Sequence, residues 1–463
     1  MNSEAPSAIR LNQHTDLELR TLETSSQLDP ASTSSFQEST TTQPDSSINV
    51  QELPPVDAGW GAWTFCLAGL VLETLVWGFG FRLILALAGY YTSHPPFEQA
   101  PRLVIGAVGP VTIAFEYVEG LLLSFFYVRY PDYIKASMWF GLTLSVVSLV
   151  SSSFVSNAWL LLIFQGVGLG VAGGILYWPV ILYVSDWFVQ RRGLAGGIIF
   201  AGSGLGGFLL PFLISGLLNK VGHQWTLRYL ALLQGVLGGV ALLGIKPRIP
   251  PLTYRNGQRR PSFIPPRIRF LKRQMFWTYS ITNFLQAMSY FPVSLYIAVF
   301  TATISSPLSA TIVLALFNIA GVAGQVFIGY LSDRFSYPWI MFGSALGCSI
   351  SAFLLWGFAD TLATVLIFAI GGGFSSVAFA VAKDSAGANP EQAPMALSAF
   401  TAVKGVAAVI GPVMSGLLLE AGKKDNHGPF GKFGFGPVEI FVGVCALACS
   451  FSSLAVGATK PRI

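Results

Sequence analysis

The chain has 463 residues, of which 53% are hydrophobic and only 11% charged. Globular proteins carry about a quarter charged residues, so the composition excludes an ordinary water-soluble fold and describes an integral membrane protein. The formal charge of +5 does not point to nucleic acid, because residues 1–58 hold nine acids against two bases, Arg10 and Arg20. The positive surplus therefore lies in the apolar part of the chain.

Residues 1–56 are rich in Ser, Thr, Gln, Asp and Glu with almost no aromatics, so they cannot bury a core. A disordered tail over 1–58 is expected. Its stretch SSFQESTTTQPDSS offers hydroxyls for phosphorylation, or is simply solvated. No basic segment followed by a short apolar one opens the chain, so no signal peptide is read.

From Trp60 onward, twelve apolar runs of spanning length recur, at 60–91, 103–127, 136–154, 157–183, 194–218, 226–245, 276–302, 308–330, 337–358, 361–382, 395–420 and 436–457. The loops after even-numbered spans hold Arg129, Lys135, Arg191, Arg192, nine bases between Lys246 and Arg273, Arg334 and Lys383. The loops after odd-numbered spans hold six bases: Arg102, Lys220, Arg228, Lys423, Lys424 and Lys432. The positive-inside rule then puts both termini in the cytoplasm. The plasma membrane is the expected location, with the vacuole or another internal membrane as the alternative.

The stretch from Tyr177 to Pro211 carries much of this pattern. An apolar run ends at Trp187-Phe188, Arg191 and Arg192 form a turn, and a glycine-spaced run follows with Gly197, Gly202, Gly204, Gly206 and Gly207. Moving each arginine through hydrocarbon costs about 2.5–3.5 kcal/mol, so the pair pins the turn to one face. The glycines let a neighbouring helix approach closely.

The central loop, 246–274, has nine bases, no acids and several prolines, and divides six spans (59–245) from six (275–458), with 459–463 as a short C-terminus. It serves either as a topology-setting linker or as an attractor of anionic lipid. An internal repeat supports the division. Gly204, Pro211 and Ser215-Gly216-Leu217-Leu218 in span 5 are matched by Gly405, Pro412 and Ser415-Gly416-Leu417-Leu418 in span 11. GVGLGVAGG in span 4 is echoed by IGGGFSS in span 10.

The motifs now resemble a known family. Asp57-Ala58-Gly59-Trp60-Gly61 is similar to the acidic, glycine-rich opening of the monocarboxylate transporter family. Trp187-Phe188-x-x-Arg191-Arg192-Gly193-Leu194-Ala195-x-Gly197 resembles its second hallmark. Arg129-Tyr130-Pro131, Gly372-Gly373-Phe374-Ser375-Ser376 and Phe435-Gly436-Pro437 look like its fungal branch. Gly329-x-Leu331-x-Asp333-Arg334 is similar to the loop motif of the wider major facilitator superfamily. The resemblance covers about 57–457. It implies an all-α membrane protein of twelve transmembrane helices in two pseudo-symmetric six-helix halves, with a substrate site near the midplane between them.

Departures from the pattern bear on substrate. Asn318 stands in span 8 where proton-coupled carboxylate carriers have an acid, and Gln325 near where fungal relatives have arginine. Arg82 lies about two residues out of register with the span 1 lysine of the carboxylate carriers, and Ala62 replaces a tryptophan, with Trp63 next along. These differences point to a larger or less charged solute.

Ionisable residues inside spans are costly and face cavities or partners. Here they are Glu73 and Arg82 in span 1, Glu116 and Glu119 in span 2 and Lys404 in span 11. Glu73 and Arg82, nine apart, fall on opposite faces of a straight helix. Arg82 could bind an anionic group or snorkel outward, and Glu73 could answer a base across helices. Glu116 and Glu119 share a face. Two carboxylates that close resist ionising together, so the pair could carry a proton, or serve only in packing with Lys404. Lys404 occupies the place where fungal relatives often have arginine. Neutral candidates are Tyr177 and Trp178 in span 4, Asn283, Gln286 and Tyr290 in span 7, and Asn318 and Gln325 in span 8. Aromatics with amides suit a largely apolar, ring-containing ligand.

Four cysteines (Cys66, Cys348, Cys445, Cys449) fall in apolar runs and read as small buried hydrophobes. The histidines, His14, His94, His223 and His427, lie in the tail or in loops, which argues against a mid-membrane histidine proton relay and against a metal site. No phosphate-cradling G-x-x-x-x-G-K-[ST] occurs, so ATP is not the direct driver, and no cofactor is expected. The expected activity is secondary transport of a small organic molecule (a carboxylate, a vitamin or a secondary metabolite) by alternating access, with protons as a candidate coupling ion. The competing class is a non-transporting nutrient sensor on the same fold. A membrane enzyme would need a nucleophile or metal cluster that these residues do not supply.

Overall fold

A computed structural model describes residues 53–91, 94–250, 260–263, 269–375, 393–423 and 430–458, with the side chains of 79–86, 88–89, 102 and 393–394 excepted. Residues 1–52 of the expected tail, with the SSFQESTTTQPDSS stretch and His14, as well as Lys383, His427, parts of the central loop and residues 459–463, lie outside the described residues. So does the Arg82 side chain.

The chain from Trp60 folds into helices because its runs are apolar on all sides, and a helix satisfies every backbone group where water is absent. They are α1 (Gly59–Tyr91), α2 (Arg102–Arg129), α3 (Ile134–Ser152), α4 (Ala158–Trp187), α5 (192–221), α6 (223–244), α7 (Gln274–Ile304), α8 (Pro307–Ser332), α9 (Tyr337–Trp356), α10 (Leu362–Ser375), α11 (Ala393–Gly422) and α12 (Gly436–Ala458). Among the described residues, ten continuous helices are long and apolar enough to cross a membrane, and α10, at 14 residues, is a shorter apolar one. Local signals start several of them. Asn157 accepts from the Trp159 N–H ahead of α4, and Ser306 caps α8, which opens on Pro307.

The boundary between α5 and α6 differs from expectation. A loop holding Lys220 and Arg228 was expected between spans 5 and 6; both residues are helical, and one residue makes the break. The continuous 53-residue helix would be about 80 Å long, more than twice the roughly 30 Å hydrocarbon core. Gly222, at φ 71° and ψ 177°, reverses it, a conformation closed to residues with a Cβ. Arg228 stays in α6 by stacking on Phe154 and Trp225 and donating to the Ser153 hydroxyl.

The described residues form one compact unit. Two seams join α1–α6 to α7–α12: α5 against α8, and α2 against α11. Gly193, Gly197, Gly204 and Gly207 share one face of α5. A Cβ on Gly204 would lie 2.8 Å from the Asn318 carbonyl and from Val322, so the backbones meet only because side chains are missing. In the second seam the hydroxyls of Ser124 and Ser398 hydrogen-bond across the helices. Ile113 and Tyr117 of α2 join Phe291 of α7 and Ala407 and Ala408 of α11 in one buried cluster. The outer faces carry exposed large apolar side chains such as Phe140, Leu209, Leu243 and Phe451, as a lipid-facing surface requires. The four cysteines are buried and free.

Part of the central loop folds back on the protein. Arg260 makes a two-pronged contact with the Asp132 carboxylate at 3.1 and 3.0 Å and stacks on Tyr130. Arg129 donates to the Pro261 carbonyl at 2.9 Å, and Phe263 packs against Phe125. These bases are engaged by protein groups at the α2–α3 turn.

Candidate functional site

A cavity of about 160 Å3 lies in the middle of the bundle, roughly ten times the space one water needs. Residues from both sets of six helices line it. Glu73 and Trp77 come from α1, Glu116 and Tyr117 from α2, Tyr177, Trp178 and Ile181 from α4, and Phe200 and Ser203 from α5. Tyr279, Asn283, Gln286, Tyr290 and Ser294 of α7 face them, with Gln325 of α8 and Leu397, Phe400, Thr401 and Lys404 of α11. The rings line it in two groups. Trp77 packs on Tyr117 at 4.4 Å between centroids, Tyr177 meets Trp77 edge-on at 6.2 Å, and Tyr279 meets Phe400 at 4.5 Å.

Charge is concentrated on three of the lining helices. Glu73, 5% exposed, faces Tyr177 and Ser203 and is electrostatically coupled to Lys404 across the cavity. Among the described residues no ion pair within 4.0 Å joins the two. Glu116, 3% exposed, sits beside them. Glu73 Oε2, Glu116 Oε2 and Gln286 Oε1 are buried with no hydrogen-bond partner. Buried polar atoms are normally paired, so these three are available to a ligand or to water. Two other polar side chains stiffen the wall. Asn283 donates to the Phe400 carbonyl at 2.8 Å, tying α7 to α11, and Trp178 donates to Ser124 at 2.9 Å.

The structure brings together Glu73, Glu116, Tyr177, Trp178, Asn283, Gln286, Tyr290, Gln325 and Lys404. Two expected site residues are elsewhere. Asn318 lies in the α5–α8 seam, where it donates to the Gly207 and Leu314 carbonyls; Gly207 lacks the side chain that would fill that place. Glu119 points at Gly174 of α4 and does not line the cavity, because three residues along α2 turn it about 60° from Glu116. Trp77, Tyr117, Tyr279, Ser294 and Thr401 escaped the sequence reading. The signal for them was helical spacing. Residues 279, 283, 286, 290 and 294 form one face of α7, and Trp77 and Thr401 lie one turn from Glu73 and Lys404.

A second constellation surrounds the α4–α5 turn. The Asp57 carboxylate accepts from the backbone N–H groups of Val189, Gln190 and Arg191 at 2.9–3.0 Å, and the Asp57 N–H donates to the Trp187 carbonyl. The Asp333 carboxylate, just past α8, accepts from Gly193 and Leu194 at 2.6 and 2.8 Å. Two carboxylates thus hold five N–H groups at the start of α5, where the helix dipole favours negative charge. Burial works against the ionised Asp57, but the donors from Gln190, Arg191 and Val189 outweigh it and hold its carboxyl below 3.8. Burial wins at Asp333, whose carboxyl is pushed above the ordinary value despite Leu194 and Gly193. The Arg191 side chain is exposed, and Arg334 stacks on Tyr330 at 4.5 Å. At this turn the backbone N–H groups make the latch; the Arg191 side chain stays outside it.

A sequence profile described as the Major Facilitator Superfamily matches residues 102–305 and 280–451. MFS-type transporter 1 of Ophiocordyceps sp. is 26% identical over 324 residues, covering 70% of this chain and 70% of that protein. The Fujikurins efflux protein of Gibberella fujikuroi is 28% identical over 329 residues, covering 70% and 68%. The Aspyridones efflux protein apdF of Emericella nidulans is 26% identical over 381 residues, covering 79% and 73%. Among solved structures, the Major Facilitator Superfamily transporter FucP, in an outward conformation, shares the fold at a TM-score of 0.60 and 12% identity, over 85% of this chain and 98% of that one.

Proposed function

Because the chain belongs to the Major Facilitator Superfamily, we propose that it is a secondary transporter that exports a largely apolar, ring-containing metabolite bearing one acidic or hydrogen-bonding group. The observation that carries this reading is the cavity itself. It is walled by aromatic rings, and its charges are confined to Glu73, Glu116 and Lys404. Rings and aliphatic side chains take up the solute's apolar body, Lys404 its anionic or acceptor group, and Gln286 its donors. Two relatives whose names state efflux, of fujikurins and of aspyridones, support the export direction. The motifs at Asp57 and Arg191 favour a place in the monocarboxylate transporter-like branch, with a solute larger than a short carboxylate.

In this reading 59–245 and 275–458 rock against each other about the cavity, the α5–α8 and α2–α11 seams parting and closing in turn, and both termini lie in the cytoplasm. Glu116 holds the coupling proton, and Glu73 competes with the solute for Lys404.

Vesicles containing the purified protein, loaded with a panel of aromatic weak acids and neutral ring compounds under an imposed pH gradient, test this. Accelerated movement of a ring-bearing acid against the proton gradient is the expected result, with Glu116→Gln removing the gradient dependence while exchange of solute for solute persists. Faster movement of short carboxylates than of any ring compound would overturn the substrate class. A rate indifferent to the gradient in the wild type would overturn the coupling.

A further inference from the structure

Helices α1–α4, with α6 and the α5–α6 break, enclose a series of buried polar groups that the central cavity does not use. It begins at Glu116, whose carboxylate borders the cavity on one side and a separate pocket of about 20 Å3 on the other. Ser145 of α3, Gly173 of α4 and Gln234 of α6 line that pocket. Glu116 and Gln234 are each 3% exposed, and Glu116 Oε2 and Gln234 Oε1 have no hydrogen-bond partner. A water needs about 10–15 Å3 and two to four polar partners. The pocket meets both conditions for one water. Its two hydrogens suit the Glu116 carboxylate and Gln234 Oε1, and the buried Ser145 hydroxyl can donate in return. Hard divalent cations take about six oxygen ligands, and the lining side chains offer four, two from Glu116 and one each from Ser145 and Gln234. Gly173 makes the room, since a Cβ there would lie 2.8 Å from Glu116 Oε1.

The series continues toward the end of the bundle opposite the Arg191 turn. One turn back along α2, buried Thr112 donates to the Gln165 carbonyl at 2.9 Å. Gln165 sits in the π-helical stretch Leu162–Gly168 of α4, and such wide turns recur at functional sites. Its Nε2 donates to the Tyr91 hydroxyl at 3.0 Å, while its Oε1 is buried without a partner. Tyr91 meets the His223 ring edge-on at 6.0 Å, and His223 Nε2 is a further buried atom without a partner. His223 follows the Gly222 break, and exposed His94, stacked on Tyr90, lies beyond the same end of α1.

We propose that these groups form a water-bridged proton path from His223 through Tyr91 and Gln165 to Glu116, separate from the cavity that takes the organic solute. The proposal rests on the reading of Glu116 as a proton-holding carboxyl. His223 takes a proton at Nε2. Tyr91 and the waters each accept one proton and release another, and the Glu116 carboxylate ends as a carboxylic acid, so one positive charge moves and only N–H and O–H bonds exchange. Gln165 and Gln234 are positioning residues, holding waters by their carbonyl oxygens. Glu116 also feels Glu119 on its own helix and Glu73 on α1, with Lys404 of α11 beyond Glu73; His223 is ringed by Tyr90, Tyr91 and Phe97.

The test follows the infrared carboxyl band that Glu116→Gln removes, in lipid nanodiscs after a rapid pH jump, with protons as the only probe. Gln165→Leu and His223→Phe are expected to slow protonation of Glu116 at least tenfold without moving its titration midpoint. Thr401→Trp, which obstructs the central cavity, is expected to change the rate less than twofold. Wild-type rates in both path variants, or slowing by Thr401→Trp alone, would overturn the path. His223→Phe preserves an aromatic ring in the cage and stands as a separate test should Gln165→Leu fail to fold. A titrating band with proton-driven flux indifferent to Glu116→Gln would sink the coupling reading and leave the path; a wild type with no such band would sink both.

Discussion

Lys404 stands among aromatic rings with Glu73 as its electrostatic partner, and the two are best understood as one device. Removing one member of a buried charge pair leaves the other uncompensated, at a cost of about 3–5 kcal/mol. Lys404→Met alone is therefore expected to lower the folded yield in detergent, and Glu73→Gln with Lys404→Met to restore it, read by size-exclusion chromatography. In the rescued double variant, affinity for an anionic solute should fall at least tenfold while a neutral analogue is retained. Asp57 invites a different measurement. Its folded carboxyl gives up its proton more readily than the unfolded one, so its contribution is present above the ordinary value of 3.8 and is lost as pH falls through the lower folded value. Asp57→Asn should cost about 1–2 kcal/mol, a drop of roughly 5- to 30-fold in hydrogen-exchange protection at Val189, Gln190 and Arg191. The wild type should lose the same protection only in strongly acid solution. Composition exposed the charged residues of the site, because a charge in an apolar run is conspicuous. It hid which of Glu116 and Glu119 faces the cavity, since both lie on the same broad stripe of α2 and neighbouring helices decide between them.

At the scale of the element, α5 shows what glycine spacing can and cannot reveal. The run from Gly193 to Gly207 reads in sequence as a surface for close approach, and the structure sets that surface against α8. The partner was not legible, because a bare helix face carries no label for what covers it. Asn318 illustrates the consequence. As an isolated polar residue in an apolar span it suggests a ligand contact, yet its amide is consumed by Gly207 and Leu314. Overpacking this seam with Gly204→Val should cost about 1–3 kcal/mol in the seam-closed arrangement. That is a shift of roughly 5- to 150-fold toward the parted one. Spin labels at Gln190→Cys and Phe335→Cys, both exposed at the latch end, should report it as a longer distance, and an unchanged distance would place the seam outside the conformational cycle. Gly222 marks another limit of sequence reading. A charged neighbourhood suggested a loop, whereas a single residue of the left-handed region is enough to turn the chain.

At the scale of the molecule, two seams and one latch hold α1–α6 against α7–α12, and the described interior is divided between the central cavity and a polar series on one side of it. The repeat and the basic loop lead one to expect two halves; how tightly α1–α6 and α7–α12 engage was not legible, since seam contacts are made by missing side chains. The loop that joins them carries one further consequence. Phe263 packs on Phe125 of α2 and Arg269 opens a turn just ahead of α7, and the six residue steps of covalent chain from 263 to 269 span at most about 20 Å. In the rocking motion proposed above, the strap at Arg260 and Asp132 would act as a leash on how far α1–α6 and α7–α12 part at that end. Chain length inserted on opposite sides of the strap should have unequal effects. Ten residues added between 264 and 268 lengthen the leash and should widen the distance distribution between labels on the halves, whereas ten added between 251 and 259 fall outside it and should leave the swing as it was.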